Sequence, residues 1–339
     1  MDNSFDLSRG CLFRSVLLTV EDDQSQYLVL SAHHLIVDGV SWRVIVNNLL
    51  DVYHQLEKNL SVSLSAQSSS YKDWTVALAD LKDDLEEDRQ YWSVFNSYSD
   101  TLPSDYQNTD PNLVKDELIR RKKIRLGNST LKLPIILQSI VSTILEQLTI
   151  NQLTVDVEGH GRDLQHTELD LSNTIGWFTS IFPLSVKRHE SVPILDQIVE
   201  QLNALPNNGS SYGLLKYGND SLASQLKMIK SSVCVNYLGK IDQGFSSNMD
   251  FTIVDDLEVT DRHGDQSRAY ELEFVIQTVD DTLDIAVHYS SKKYNETTIT
   301  KLVDNISDKL TEKSKNFPLK HEIINSKSLI IELKKGKHN

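Results

Sequence analysis

Two short stretches of the 339-residue chain concentrate side chains that can carry protons. The first, "SAHHLIVDGVSW" (31–42), sets His33 and His34 side by side at the end of an apolar run and follows them with Asp38 and Gly39. The second, "VEGHGRD" (157–163), ends an apolar run on Glu158 and then passes through Gly159, His160, Gly161 and Arg162. An imidazole titrates near neutral pH, so one histidine facing a cavity makes a general base. A carboxylate at a strand end beside a glycine-flanked loop is a candidate acid or base. Plainer readings stand beside these. Both histidines can be core residues with satisfied hydrogen bonds, and Glu158 can be a salt-bridge partner or a loop cap. A metal site is not expected. Neighbours in a strand point to opposite faces, so His33 and His34 cannot readily share an ion, and no further ligands stand at matching spacing. Asp38, if buried, needs a cation or backbone donors.

The elements that must hold these groups can be read from periodicity. "CLFRSVLLTVED" and "SQYLVLSAHHLIV" read as strands of a hairpin joined by an acidic turn. Helical spacing then begins, with Trp42, Ile45, Val46, Leu49, Leu50, Tyr53 and Leu56 on one face. The first motif therefore sits where a strand hands over to a helix. Residues 60–70 read as a loop, and 71–95 as a second helical stretch, acidic in its middle. The polar, proline-containing segment 99–113 marks a boundary. "LPIILQSIVSTILEQL" predicts a helix, "LTVDVEG" a strand, "VPILDQIVEQLNAL" a helix and "SSVCVNYLG" a strand. "RAYELEFVIQTVDDTLDIAVHYSS" predicts two strands around an Asp-Asp turn, and "TTITKLVDNISDKLTEKSK" an amphipathic helix. The basic tail ending "KKGKHN" is expected to fray.

Composition narrows the classes. A net charge of −14 argues against nucleic acid as the main partner, because phosphate binding needs a basic field. Two cysteines, Cys11 and Cys234, make neither a disulfide framework nor a metal cluster. No apolar run reaches membrane-spanning length and "MDNSFDLSRG" has no signal-peptide pattern, so no membrane partner and a reducing, cytoplasmic setting are expected. Sequons such as those at Asn128 and Asn305 are read as chance.

Taken in order, "HHLIVDG", "DGVSW", "VEGHGRD", "DLSNTIGWFTSIFP", "YGLLKY", "VCVNYLG" and "HYSS" resemble the condensation-domain superfamily of nonribosomal peptide synthetases. More narrowly, they resemble its epimerization branch. The HHxxxDG signature alone is moderately specific, whereas the whole ordered series, from about residue 6 to about residue 312, is highly specific. The resemblance implies an α/β (α+β) chain folded as two lobes of the chloramphenicol-acetyltransferase type, with a tunnel between them that admits phosphopantetheine arms. It implies a substrate, an aminoacyl or peptidyl thioester on a peptidyl carrier protein, and a reaction, inversion at the α-carbon. No cofactor bound by the chain itself is expected.

By the match, His34 and Glu158 are the catalytic groups facing each other across the tunnel. Asn236 and Tyr237 are expected to donate hydrogen bonds to the enolate or the thioester. Asp38 is expected to pair with Arg162, Gly39 to shape the turn, and His33 to be packed in the lobe and satisfied by backbone. Measured against the family, the motif stands close to Met1 and chain is missing after "RKKIRLGNST". The expected organisation is a partial first lobe over 1–103, a second lobe over 104–315 and a tail over 316–339 of unassigned role. Two other functions stay open: a condensation-type acyltransferase forming an amide with the same histidine, and a silent module that only docks carrier proteins.

Overall fold

A computed structural model describes residues 5–316 of the chain except 23–24, 67–68, 82–84, 96–101, 108–109, 128, 130, 164–167 and 241–261. The sequon at Asn128, parts of the 99–113 boundary segment and the basic tail from 317 onward lie outside the described residues.

The chain begins with the expected hairpin. Strand β1 (Phe13–Thr19) pairs antiparallel with β2 (Gln26–Ala32), Val16 opposite Val29. The two form a sheet of their own. Its Leu17, Leu18, Tyr27 and Leu28 are exposed. A 3-10 turn over His34–Ile36 separates β2 from helix α1 (Gly39–Glu57). The helical stretch expected over 71–95 is two helices, α2 (Tyr71–Leu81) and α3 (Glu86–Ser93).

The rest is built on a six-stranded mixed sheet. Its strands are β3 (Glu117–Arg125), β4 (Gln152–Gly159), β5 (Ser180–Lys187), β6 (Val233–Lys240), β7 (Leu272–Val279) and β8 (Thr282–Ser290), in the order β3-β8-β7-β6-β4-β5. Strand β6 runs parallel to β4 and β7, and the other pairings are antiparallel. The Asp-Asp turn between β7 and β8 forms as read, with Asp280 at φ 52°. Strand β3, "ELIRRKKIR", escapes an apolar-alternation reading because it is a charged edge strand. Its cations meet carboxylates instead, Lys122 with Asp304 at 2.6 Å and Arg121 with Asp284 at 3.5 Å.

One face of this sheet carries the core. Val155 and Val157 of β4, Val233 and Val235 of β6, Phe274 and Ile276 of β7, and Ile285 and Val287 of β8 are all buried in a single apolar cluster. Helix α4 (Leu133–Gln147) fills the centre of that cluster. Ile136, Leu137, Ile140, Val141, Ile144 and Leu145 are fully inaccessible, which fits a helix apolar nearly all round, and Pro134 lies in its first turn. Helices α5 (Ile194–Ala204) and α8 (Glu296–Asn316) flank it. Helices α6 (Ser210–Lys216) and α7 (Ser221–Lys227) follow α5. Leu85 and Trp92, at and within α3, join this same cluster although they precede residue 103. A first lobe over 1–103 is therefore corrected at this point: α3 packs with the second.

Strand alternation leaves the opposite sheet face polar. Asp156 and Glu158 of β4, Cys234 and Asn236 of β6, and Glu273 and His288 share it, in register from strand to strand.

Candidate active site

Asp38 is the N-cap of α1, its Oδ1 accepting the Ser41 N–H at 2.7 Å. It is only 3 % exposed, so a second, charged partner is needed. Arg162 supplies it. Its Nη2 donates to Asp38 Oδ1 at 3.0 Å and to Ser41 Oγ at 3.1 Å, with the Arg162 side chain 8 % exposed. Its Nη1 donates to the carbonyls of Leu171 and Thr174, and its guanidinium lies 4.0 Å from the Phe178 ring centroid. The Phe178 N–H donates back to Asp38 Oδ2 at 3.2 Å. Ser41 Oγ donates to the Gly176 carbonyl and accepts the Gly176 N–H. Asp38 and Arg162 thus join three segments, the N-terminus of α1, the loop after β4 and the "GWF" segment, by multiple hydrogen bonds.

The clamp depends on Gly161. Its φ is +62°, and a Cβ there would lie 1.7 Å from the Phe178 carbonyl oxygen, so only glycine fits. Gly39, at the first turn of α1, lies beside β6, where a Cβ would meet Leu238 Cδ2 at 3.4 Å.

His33 is half-buried rather than packed in a core. Its Nδ1 accepts the Leu35 N–H at 3.2 Å and caps the 3-10 turn, and its ring meets Phe5 edge-on. His34 is exposed. Its ring lies 5.3 Å from that of Trp177, whose backbone is held by Tyr71 OH donating to the Trp177 carbonyl at 2.9 Å.

Glu158 sits at the end of β4 on the polar sheet face. Burial pushes its carboxyl up to about 7, and the charge of Glu273 adds to this. His34 lies near enough that its charge acts in the opposite direction, as does a hydrogen bond from Cys234. Cys234 Sγ stands 3.9 Å from Glu158 Oε1, and Asn236 Nδ2 donates to Oε2 at 2.6 Å. A carboxyl poised near neutrality can both take and give a proton at working pH.

Two expectations change. Asn236 reaches Glu158 and orients it, so one of its N–H groups is committed to the carboxylate rather than to a ligand. Tyr237 does not belong to this face at all. It is the next residue along β6, so its side chain points into the helix-covered side, where its hydroxyl donates to the Leu131 carbonyl at 3.0 Å. Cys234, read from sequence only as a lone cysteine, belongs to the site instead. The signal was available: it stands two residues before Asn236 in the same strand. Among the described residues no group of three or more His, Cys, Asp or Glu is arranged to hold a metal ion, and no helix is long and apolar enough to cross a membrane.

The sequence profile of the Condensation domain family matches residues 1–322. The chain is 30 % identical over 330 residues to one of the linear gramicidin synthases of Brevibacillus parabrevis, and 27 % identical over 337 residues to tyrocidine synthase 2 of the same organism. These matches cover 91 % and 90 % of the chain but only 4 % and 9 % of the two synthases, so the chain spans a small part of the relatives it matches. Among solved structures, the epimerization domain from the third module of tyrocidine synthetase B superposes with a TM-score of 0.80 at 24 % identity, over 92 % of this chain and 74 % of that one. The first condensation domain of the CDA synthetase superposes with a TM-score of 0.65 at 17 % identity, over 91 % and 69 %. The mixed α/β architecture is that of the chloramphenicol-acetyltransferase-like condensation and epimerization domains.

Proposed function

The chain belongs to the Condensation domain family, and from that premise we propose that it inverts the α-carbon of an aminoacyl or peptidyl thioester carried on the phosphopantetheine arm of a carrier protein. The observation that carries this reading is Glu158, a carboxyl raised to about 7 within the electrostatic reach of His34. An α-proton beside a thioester is a weak acid, and its removal near pH 7 needs a positioned base. Inversion also needs a proton delivered from the opposite face. One imidazole and one near-neutral carboxyl are the two groups this requires. The first takes the α-proton and leaves an enolate; the second returns a proton to the other face of the same carbon. Asn236 and Cys234 hold Glu158 in place from two sides.

An amide-forming reaction would use His34 and leave Glu158 without a task, and a docking module would need neither. The test is deuterium entry at the α-carbon of an L-aminoacyl carrier in D2O, followed by mass spectrometry, for the native chain, His34→Ala and Glu158→Gln. Exchange lost in both variants is the expected result. An amide product that survives Glu158→Gln would establish the acyltransferase instead. No exchange from the folded native chain would leave carrier docking.

A further inference from the structure

Beside Glu158 lies a cavity of about 380 Å³ that no step above uses. Trp74, Trp177, Phe178, Tyr212, Tyr217 and Tyr270 line it. It adjoins the candidate pair on two sides. Trp177 is the ring that touches His34. Ser180 and Ile181, also in its wall, lie opposite Gly159 and Glu158 in the β4–β5 ladder. Asp156 lines the cavity two residues before Glu158 on the same strand face, about 6–7 Å along β4.

The polar groups are specific. Asp156 accepts from Ser231 Oγ at 2.5 Å and from Tyr270 OH at 2.9 Å. A carboxylate offers about four lone-pair sites, so acceptor capacity is left over. Ser180 Oγ, Ser210 Oγ, Tyr212 OH and Trp74 Nε1 are buried and without a hydrogen-bond partner among the described residues, and all four residues line the cavity. Buried hydroxyls are ordinarily paired, so a cluster of orphans around an aromatic-walled space points to a ligand with polar atoms of its own.

We propose that this cavity receives the side chain of the amino acid undergoing inversion, and that it selects an aromatic side chain with a hydrogen-bond donor at its far end, a phenol or an indole. The inference rests on the epimerase reading. Aromatic walls favour a flat ring by offset and edge-on contacts. Asp156 takes the donor, and the free hydroxyls of Ser210 and Tyr212 surround the same end. A leucyl side chain would leave these groups unpaired, which is the costliest form of mismatch in a dry pocket. Gly213 lines the cavity, and a Cβ added there meets nothing within 4 Å. A larger residue at 213 would therefore fill the space without displacing backbone.

The experiment pairs competition with direct binding. Carriers loaded with L-tyrosyl, L-phenylalanyl and L-leucyl groups compete for α-deuterium uptake, and tyrosyl should exceed leucyl by about tenfold or more. Asp156→Asn should erase the tyrosyl-over-phenylalanyl preference while keeping phenylalanyl over leucyl. Gly213→Phe should slow both aromatic substrates and spare leucyl, which covers the case in which Asp156→Asn does not fold. Equal exchange of tyrosyl and leucyl carriers by the native chain would overturn the proposal. Binding is read separately in the Glu158→Gln chain, by tryptophan fluorescence with N-acetylcysteamine thioesters of tyrosine and leucine. Selective tyrosyl binding without exchange in the native chain would keep the pocket and remove the epimerase reading. Equal binding of the two would remove the pocket.

Discussion

A carboxyl raised toward 7 has a stability signature as well as a catalytic one. Folded Glu158 holds its proton over the range between the ordinary glutamate value near 4.5 and about 7, while the unfolded chain has released it. Stability linked to this group is therefore full below pH 4.5 and falls as pH rises through 7. Glu158→Gln should be more stable than the native chain at pH 8 and no different at pH 4, measured by thermal unfolding. Equal melting at pH 8 would mean that the carboxyl is not strained by its site. Cys234 and Asn236 act on the same group. Because the Cys234 hydrogen bond favours the ionised carboxylate, Cys234→Ala should shift the Glu158-linked limb of the exchange-versus-pH profile upward, with Asn236→Ala acting in the same sense. An unmoved limb in both variants would show that neither donor governs the proton.

Between residue and fold stands the clamp. Removing one partner of a buried ion pair costs about 3–5 kcal/mol, because the other is left charged and unpaired. Asp38→Ala also takes away the cap of α1 and the acceptor of the Phe178 N–H, so loss at the upper end of that range is expected in denaturant unfolding. Gly161→Ala should be worse than an ordinary surface change, since both the positive φ and the Phe178 carbonyl oppose a Cβ. An alanine variant with native stability would refute the close approach. This scale also shows what periodicity can reveal. The hairpin, α1, α4, β4 and the β7–β8 pair were legible because burial imposes its own repeat on each. Strand β3 was not, since ion pairs hold its charged residues on an edge where no apolar pattern is required. The placement of Tyr237 was recoverable: adjacent residues of a strand cannot serve one face, and the rule that separated His33 from His34 applies equally to Asn236 and Tyr237. The membership of α3 was hidden, because Trp92 reaches a core formed by residues far along the chain.

At the scale of the whole molecule, stability is unevenly shared. The six-stranded sheet carries a continuous apolar cluster on one face, whereas β1 and β2 form a separate ribbon with much of their apolar surface in water. Two-stranded ribbons are marginal on their own. Amide hydrogen exchange should therefore be fast in β1 and β2 and slowest in β6, β7 and β8; uniform protection would show that the ribbon is covered in solution. A second expectation concerns acid. Burial pushes the Glu117 carboxyl up, but the His288 hydrogen bond and the charges of Arg268 and Arg262 outweigh it and hold it at about 2. Its contribution is present above the ordinary glutamate value and is lost as pH falls toward 2. Arg268 is 1 % exposed on its side chain, so Glu117→Gln strands a buried guanidinium and should cost about 3–5 kcal/mol at pH 7, with the difference from the native chain vanishing near pH 2. The same asymmetry sets an order of events in time. Asp38 and Arg162 are 124 residues apart, so the bond that ties α1 to the loop after β4 closes a long stretch of chain and returns nothing until β4 is in place. On a growing chain the two histidines emerge first, yet they wait for more than a hundred further residues before anything can anchor them. The large sheet can assemble without them, and the histidine-bearing segment docks onto it afterwards. The final step of folding is then the one that brings His34 within reach of Glu158, and its reversal would silence the site while most of the molecule stays folded.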